Sequence, residues 1–267
     1  MIMDYEHAEV HLIEKQSDET PWTIQQTFVG ILATLVPWII LSAGLNSLSG
    51  SKSAPTRPLS PQADLVAAVI TFVFSCIVEG ALLIAPFYIA NRTLRSMPSH
   101  WRRALQALGF RGFGGGATLA WMAVLLFAIL ATDYLYGYAI QIFHLPLQTN
   151  DQVLLAYSKY APLTTYAILI VAVFVAPICE EVFFRGFVFA GLLRGMPLVW
   201  AILFSSLIFA VAHFDVGSFV VLFIIGLALA FLRWRTKSIW PGILLHMLNN
   251  GIAALGIIVV MLGGKGP

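Results

Sequence analysis

Stretches of about twenty apolar residues recur along nearly the whole chain, near 27–47, 64–91, 117–143, 163–193, 198–212, 217–232 and 239–262. A bilayer's hydrocarbon core is ~30 Å thick and is crossed by roughly 20 apolar residues in a helix. Only helices and closed barrels satisfy their own backbone groups there, and a barrel would show short alternating segments instead. Composition agrees: of 267 residues 59% are hydrophobic and 10% charged, with a mean hydropathy of +0.86, more apolar surface than a water-soluble core hides. The expected fold class is all-α, a polytopic transmembrane helical bundle of seven or eight helices. The open number comes from the 163–193 window, which reads as one tilted helix or as two meeting near Pro177, since proline removes a backbone donor.

Residues 1–26 carry six acids (Asp4, Glu6, Glu9, Glu14, Asp18, Glu19) against one lysine, the opposite of a signal peptide's basic start. They read as an acidic tail ahead of a single transmembrane domain over 27–262, with no cleaved segment expected. Cys76 and Cys179 lie far apart in apolar stretches and support neither a disulfide framework nor a thiolate metal site. Arg92, Arg95, Arg102, Arg103 and Arg111, then Arg194, then Arg233, Arg235 and Lys237 fall in three connections that seven crossings place on one side. By the excess of Lys and Arg in cytoplasmic loops, that side and the N-terminus are expected to be cytoplasmic. A prokaryotic plasma membrane is the expected location. Within SHWRRALQALGF, Trp101, Leu105 and Leu108 share a helical face, which suits an interfacial helix; a solvated basic loop is the plain alternative. The Ser/Pro-rich stretch 49–62 reads as a loop, and no internal repeat is visible.

Ionisable groups at membrane depth cost ~2.5–3.5 kcal/mol each on the insertion scale, so each needs a partner or a task. In APICEEVFFRGF (176–187), Glu181 and Arg185 stand at i and i+4 with the acid first, the favoured order for a same-face ion pair. Glu180 points about 100° away and meets no cation in its own turn. His213 stands one turn above Phe209, and His246 and Asn250 share a face of a later helix. Singly, each histidine is readily explained by a hydrogen bond to a neighbouring helix. Together, a carboxylate, two imidazoles and a carboxamide on three helices are parts for activating water and stabilising an oxyanion.

These residues carry a resemblance. EEVFFR (180–185), FAVAH (209–213) and HMLNN (246–250) resemble the EExxxR, FxxxH and HxxxN motifs of the CPBP intramembrane proteases, the family of the CAAX endopeptidases and of the "abortive infection" and bacteriocin self-immunity proteins. The three occur in the family's order within about 163–262, whereas the first 160 residues match no motif. The resemblance implies an intramembrane endopeptidase in which Glu180 is the general base, His213 its partner in holding the water, and His246 and Asn250 the oxyanion donors. Glu181, Arg185 and Phe209 would support them. The implied substrate is a membrane-tethered protein or peptide, CaaX-like or otherwise lipid-anchored, reached through the lipid bilayer, with no nucleic-acid partner. The family has long been labelled metalloprotease. If a metal such as zinc were bound, Glu180, His213 and His246 would be its ligands, but there is no HExxH helix and Asn250 is a poor zinc ligand, so a metal-free mechanism is expected.

Glu79 and Asp133 have no motif around them, and interhelical bonding or a water path would account for them as well as catalysis does. Tyr134, Tyr136 and Tyr138 suit an interface belt. Asp215 could cap a helix or orient a site residue, and a cap is expected. Two other functions stay in view. A non-proteolytic membrane immunity or regulatory protein would bind a partner through the same cavity, and a proton-coupled transporter would also use buried Glu and His. The first has no evident need for an unpaired Glu180; the second leaves the HxxxN pairing unexplained.

Overall fold

The computed structural model describes residues 20–48 and 57–263; most of the acidic tail and of the 49–62 loop lies outside them. Ten helices follow among the described residues: α1 (Ile24–Leu48), α2 (Pro61–Ala81), α3 (Ile84–Leu94), α4 (His100–Ala107), α5 (Gly115–Ile142), α6 (Asn150–Ser158), α7 (Pro162–Leu193), α8 (Leu198–Ala212), α9 (Phe219–Thr236) and α10 (Trp240–Met261). Five stretches are long and apolar enough to cross a membrane: Pro61–Leu94, which takes α2 and α3 together, then α5, α7, α9 and α10. Ile24–Ile40 and Leu198–Ala212 are shorter apolar helices beside these five. The molecule is a polytopic helical membrane bundle, and the 163–193 window is one continuous span rather than two.

Pro177 shapes that span without ending it. Lacking an N–H, it cannot continue the α-helical ladder, and the ladder slips: Val171–Val175 is π-helical, with the amide of Ala176 donating to Val171 O. A second π-helical stretch, Glu181–Phe189, runs through the EExxxR motif itself. Such wide turns are rare, are usually single, and concentrate at functional sites.

Burial shows which helix the others surround. In the apolar window of α7, 56% of residues are buried inside the protein, against 11% in those of Pro61–Leu94 and α5. The latter two present Ile70, Ile77, Leu119 and Phe127 outward, as lipid-facing helices should. Around α7 the main core gathers Phe183, Phe184, Phe187, Phe189, Phe209, Leu229 and Leu232. The helices without motifs also grip α7. Asp64, 3% exposed at the start of α2, accepts from the amides of Leu163 (2.8 Å) and Thr164 (3.0 Å) and from the Thr164 hydroxyl (2.7 Å), capping the α7 N-terminus.

At the other end of α7 the chain ahead of α1 is packed. Trp22 is fully buried, its ring lies 5.3 Å from that of Phe187 and its Nε1 donates to Phe187 O, a carbonyl within the second π-helical stretch. Arg194 Nη1 donates to Thr20 O and Trp22 O, both at 3.0 Å. Among the described residues the packing thus extends to Thr20, ahead of the first apolar window. Trp22→Ala is expected to cost about 3–5 kcal/mol, the range for emptying a buried aromatic site. Thermal unfolding in detergent micelles checks this, and a midpoint equal to wild type would refute it.

Three basic connections meet at this end, where Ile239 N donates to Gly109 O and Ser238 Oγ to Arg111 O. Helix α4 lies here against α3. Its buried stripe is Ala104, Ala107 and Leu108, whereas Trp101 is half-exposed with its ring 5.9 Å from Phe87 and Leu105 is half-buried. The apolar face is therefore narrower than the Trp101/Leu105/Leu108 face expected, because the small alanines allow close approach. Tyr134 and Tyr138 are exposed as a belt requires, while Tyr136 packs on the core.

Candidate active site

Three helices bring one carboxylate and two imidazoles together. Glu180 stands in α7 between the two π-helical stretches, His213 follows the last residue of α8, and His246 lies in the second turn of α10. Glu180 Oε2 is 3.9 Å from His213 Nε2 and 3.9 Å from His246 Nε2. Neither separation is a direct hydrogen bond, but points this far apart can each lie within about 2.8 Å of one water oxygen. The side chains of Glu180 and His213 are 12% and 23% exposed, and that of His246 only 5%. Glu180 and His213 thus keep some exposure, while His246 is enclosed.

The next layer fixes how these groups point. His213 Nδ1 is 2.7 Å from Phe209 O. A carbonyl oxygen only accepts, so Nδ1 carries the hydrogen and Nε2 is the atom presented to Glu180. Phe209, fully buried one turn earlier, has its ring 4.6 Å from that of His213, 5.9 Å from that of His246, and 4.2 Å from Arg185 Cζ. The FxxxH spacing thus supplies both a backbone acceptor and a ring that two imidazoles and a cation share.

Glu181 and Arg185 pair at 2.9 Å and are respectively 0% and 1% exposed, as their i and i+4 spacing implied. The pair also has outside partners. Arg185 Nη2 reaches Gly226 O on α9 at 3.4 Å, and Glu181 Oε1 lies 3.4 Å from His246 Nδ1. His246 therefore sits between adjacent carboxylates, with Nδ1 toward Glu181 and Nε2 toward Glu180. This arrangement needs Gly242, one turn before His246, because a Cβ there would come 2.7 Å from Glu181 Oε2, and that carboxylate is held by Arg185. Gly226 is needed likewise, since a Cβ would meet Ser206 Cα at 2.9 Å where α8 and α9 touch. The roles of Gly226 and Gly242 were missed from sequence. A glycine at i−4 to a buried histidine was the available signal for Gly242.

Asn250 is placed one turn beyond His246, and its Nδ2 donates to Ala172 O at 2.9 Å, a carbonyl within the first π-helical stretch. Its Oδ1 accepts from Asn249 at 3.2 Å. The contacts that join Glu180 to the two imidazoles thus do not include Asn250, whose second amide hydrogen is left for another acceptor. Asp215 accepts from the amides of Gly217 (2.9 Å) and Ser218 (3.1 Å), capping the turn into α9 as expected. Burial, with Asp133 and Asp215 nearby, pushes the Asp151 carboxyl up, so Asp133 belongs to this acidic group. Glu79 lies instead within electrostatic reach of Glu180.

Glu180, His213 and His246 have the chemistry of a zinc set, but donors about 2.0–2.2 Å from a tetrahedral ion stand roughly 3.3 Å apart. Here the separations are 3.9 Å, and among the described residues no three His, Cys, Asp or Glu side chains are placed to hold a metal. The donor set as arranged does not fit the ion.

Comparison with known proteins bears on this segment. Residues 162–252 match the family model for Rce1-like, type II CAAX prenyl endopeptidases. "Putative membrane peptidase YdiL" of Bacillus subtilis (strain 168) is 36% identical over 101 residues, which is 38% of this chain and 40% of that protein. No solved structure matches. The chain matches less than half of that relative's length, and the family-model match falls on the segment that holds α7 through most of α10. Residues 162–252 are thus similar to the Rce1-like, type II CAAX prenyl endopeptidases, and they contain every residue of the site.

Proposed function

We propose that the protein is an intramembrane endopeptidase that hydrolyses a peptide bond of a CaaX-like or otherwise lipid-tethered protein, entering from the bilayer, with the N-terminus cytoplasmic. The observation that carries this reading is the position of Glu180 Oε2, 3.9 Å from each of two imidazole Nε2 atoms on separate helices. A water there gives one hydrogen to Glu180 and is held through the other by His213 Nε2. Its oxygen attacks the carbonyl carbon as the proton passes to Glu180. His246 and the free amide hydrogen of Asn250 stabilise the resulting oxyanion. Glu180 returns the proton to the amine nitrogen as the C–N bond breaks. Five long spans with two shorter apolar helices, and basic connections at one end of the bundle, support the orientation.

The test is cleavage of a quenched, farnesylated CaaX peptide by purified protein in detergent, with an unprenylated peptide of the same sequence as control. Hydrolysis of the prenylated peptide, unchanged after dialysis against a chelator, is expected. Loss of activity on chelation with recovery on adding zinc would overturn the metal-free mechanism. Absence of cleavage of any membrane-tethered peptide would overturn the peptidase reading.

A further inference from the structure

Phe214, the residue after His213, has φ +50°, the left-handed region in which a bulky side chain is strained and with which glycine commonly closes a helix. Its amide donates to Val211 O at 3.0 Å, so it does close α8 in that manner. Of the described non-glycine residues with positive φ, the others being Ser99, His144 and Lys237, Phe214 alone is apolar. The rest of the turn is held without its ring. Asp215 accepts from Gly217 and Ser218, the Asn150 amide donates to Ser218 Oγ at 3.1 Å, and Gly217 sits so close to Gln148 O that no Cβ fits between them. Glycine at 214 would suit the backbone better. Strain of this kind persists where the side chain has a task, and it clusters at ligand clamps.

The ring of Phe214 is 57% exposed and stacks on that of Trp38, a half-buried residue of α1, with centroids 5.5 Å apart and planes 25° apart. Helix α1 packs along α3 and α7 rather than along α8, so the ring pair bridges two helices that do not otherwise run against each other. Of the site's two imidazoles His213 is the more exposed, 23% against 5%, and Phe214 is its neighbour in the chain. We propose that Phe214 and Trp38 form the apolar subsite that receives the hydrocarbon tether of the substrate, an isoprenoid or acyl chain, while the scissile carbonyl lies at Glu180 and His213. Inside a bilayer the tether gains nothing by leaving water, so it is selected by close packing. A partly exposed pair of rigid rings supplies that packing at little conformational cost. The proposal rests on the peptidase reading and names what that site selects. It also gives α1, which lies outside residues 162–252, a part in choosing the substrate.

The experiment uses the full chain in lipid nanodiscs and quenched peptides of one sequence whose cysteine carries either a farnesyl or a palmitoyl chain. It records kcat and KM for wild type, Phe214→Gly, Trp38→Ala and Trp38→Phe. Phe214→Gly is expected to unfold at or above the wild-type temperature, because glycine accepts this backbone, yet to raise KM for a tethered peptide about tenfold with kcat within about threefold. Trp38→Ala is expected to raise KM likewise, and Trp38→Phe, which keeps a ring, to recover most of the loss. A rise confined to the farnesyl peptide identifies an isoprenoid subsite, and one confined to the palmitoyl peptide an acyl subsite. Unchanged KM for both peptides in Phe214→Gly and Trp38→Ala would overturn the proposal. So would a fall in kcat at unchanged KM, which would assign the rings to holding His213. If wild type cleaves neither peptide, the peptidase reading fails and the subsite is judged by binding alone: a diazirine carried on the tether is expected to label Trp38 or Phe214, and labelling only elsewhere would overturn it.

Discussion

Glu180→Gln is expected to lower kcat on the order of a thousandfold, within the ~10²–10⁴ range of a positioned general base, while leaving the fold and KM nearly unchanged. The amide has the shape of the carboxylate but cannot take a proton from water. Glu180 is not the glutamate that holds the helices together: its Oε2 makes no direct hydrogen bond, and its nearest partners are imidazole nitrogens at 3.9 Å. Removal of its charge should therefore spare stability, and unfolding midpoints should match. His213→Ala should fall in the same class, since His213 touches Phe209 O and the Glu180 side of the site but closes no core. Turnover by Glu180→Gln within tenfold of wild type would be incompatible with the proposed chemistry.

Arg185→Leu is expected to have the largest effect on stability. The guanidinium is 1% exposed and paired with a fully buried carboxylate, so its removal strands Glu181 in the core, at a cost of about 3–5 kcal/mol. The double substitution Glu181→Leu with Arg185→Leu removes both charges, and much of the stability is expected to return. Activity is not. Glu181 also faces His246 Nδ1 at 3.4 Å, and an imidazole that loses its orienting carboxylate loses roughly ten- to a hundredfold in function at comparable sites. A double variant that is stable yet slow separates the structural task of Glu181 from its positioning task. If the double variant regained wild-type kcat, the Glu181–His246 contact would have no part in the reaction.

The bundle was legible in the sequence because apolar windows of spanning length carry their meaning without knowledge of their neighbours. The same holds for Glu181 with Arg185, and for Phe209 with His213, since i and i+4 spacing fixes proximity within one helix. The contacts of Glu180 with His213 and His246 were legible only through three motifs taken together. Proximity between helices depends on packing, which no single window encodes. Less legible still were the π-helical turns on both sides of Glu180. Pro177 announced a disturbance, but whether the ladder breaks or slips depends on helices such as α2 and α10 that hold the chain straight. Trp22 was hidden for a simpler reason: it lies beyond the apolar windows, in a stretch whose acids pointed to a solvated tail, and its burial comes from Phe187 and Arg194 more than 160 residues away. Asn250 is the reverse case, since its motif spacing pointed at the site, while its amide is engaged by Ala172 O.

The central claim is that Glu180, His213 and His246 hold one water between them. An experimental structure of the purified protein in lipid, at a resolution that shows ordered solvent, tests it most directly. The account predicts a single water within hydrogen-bonding distance of Glu180 Oε2 and of His213 Nε2, with His246 Nε2 facing the same point. A Glu180 side chain turned toward lipid, or imidazoles too distant to share a water with it, would contradict it.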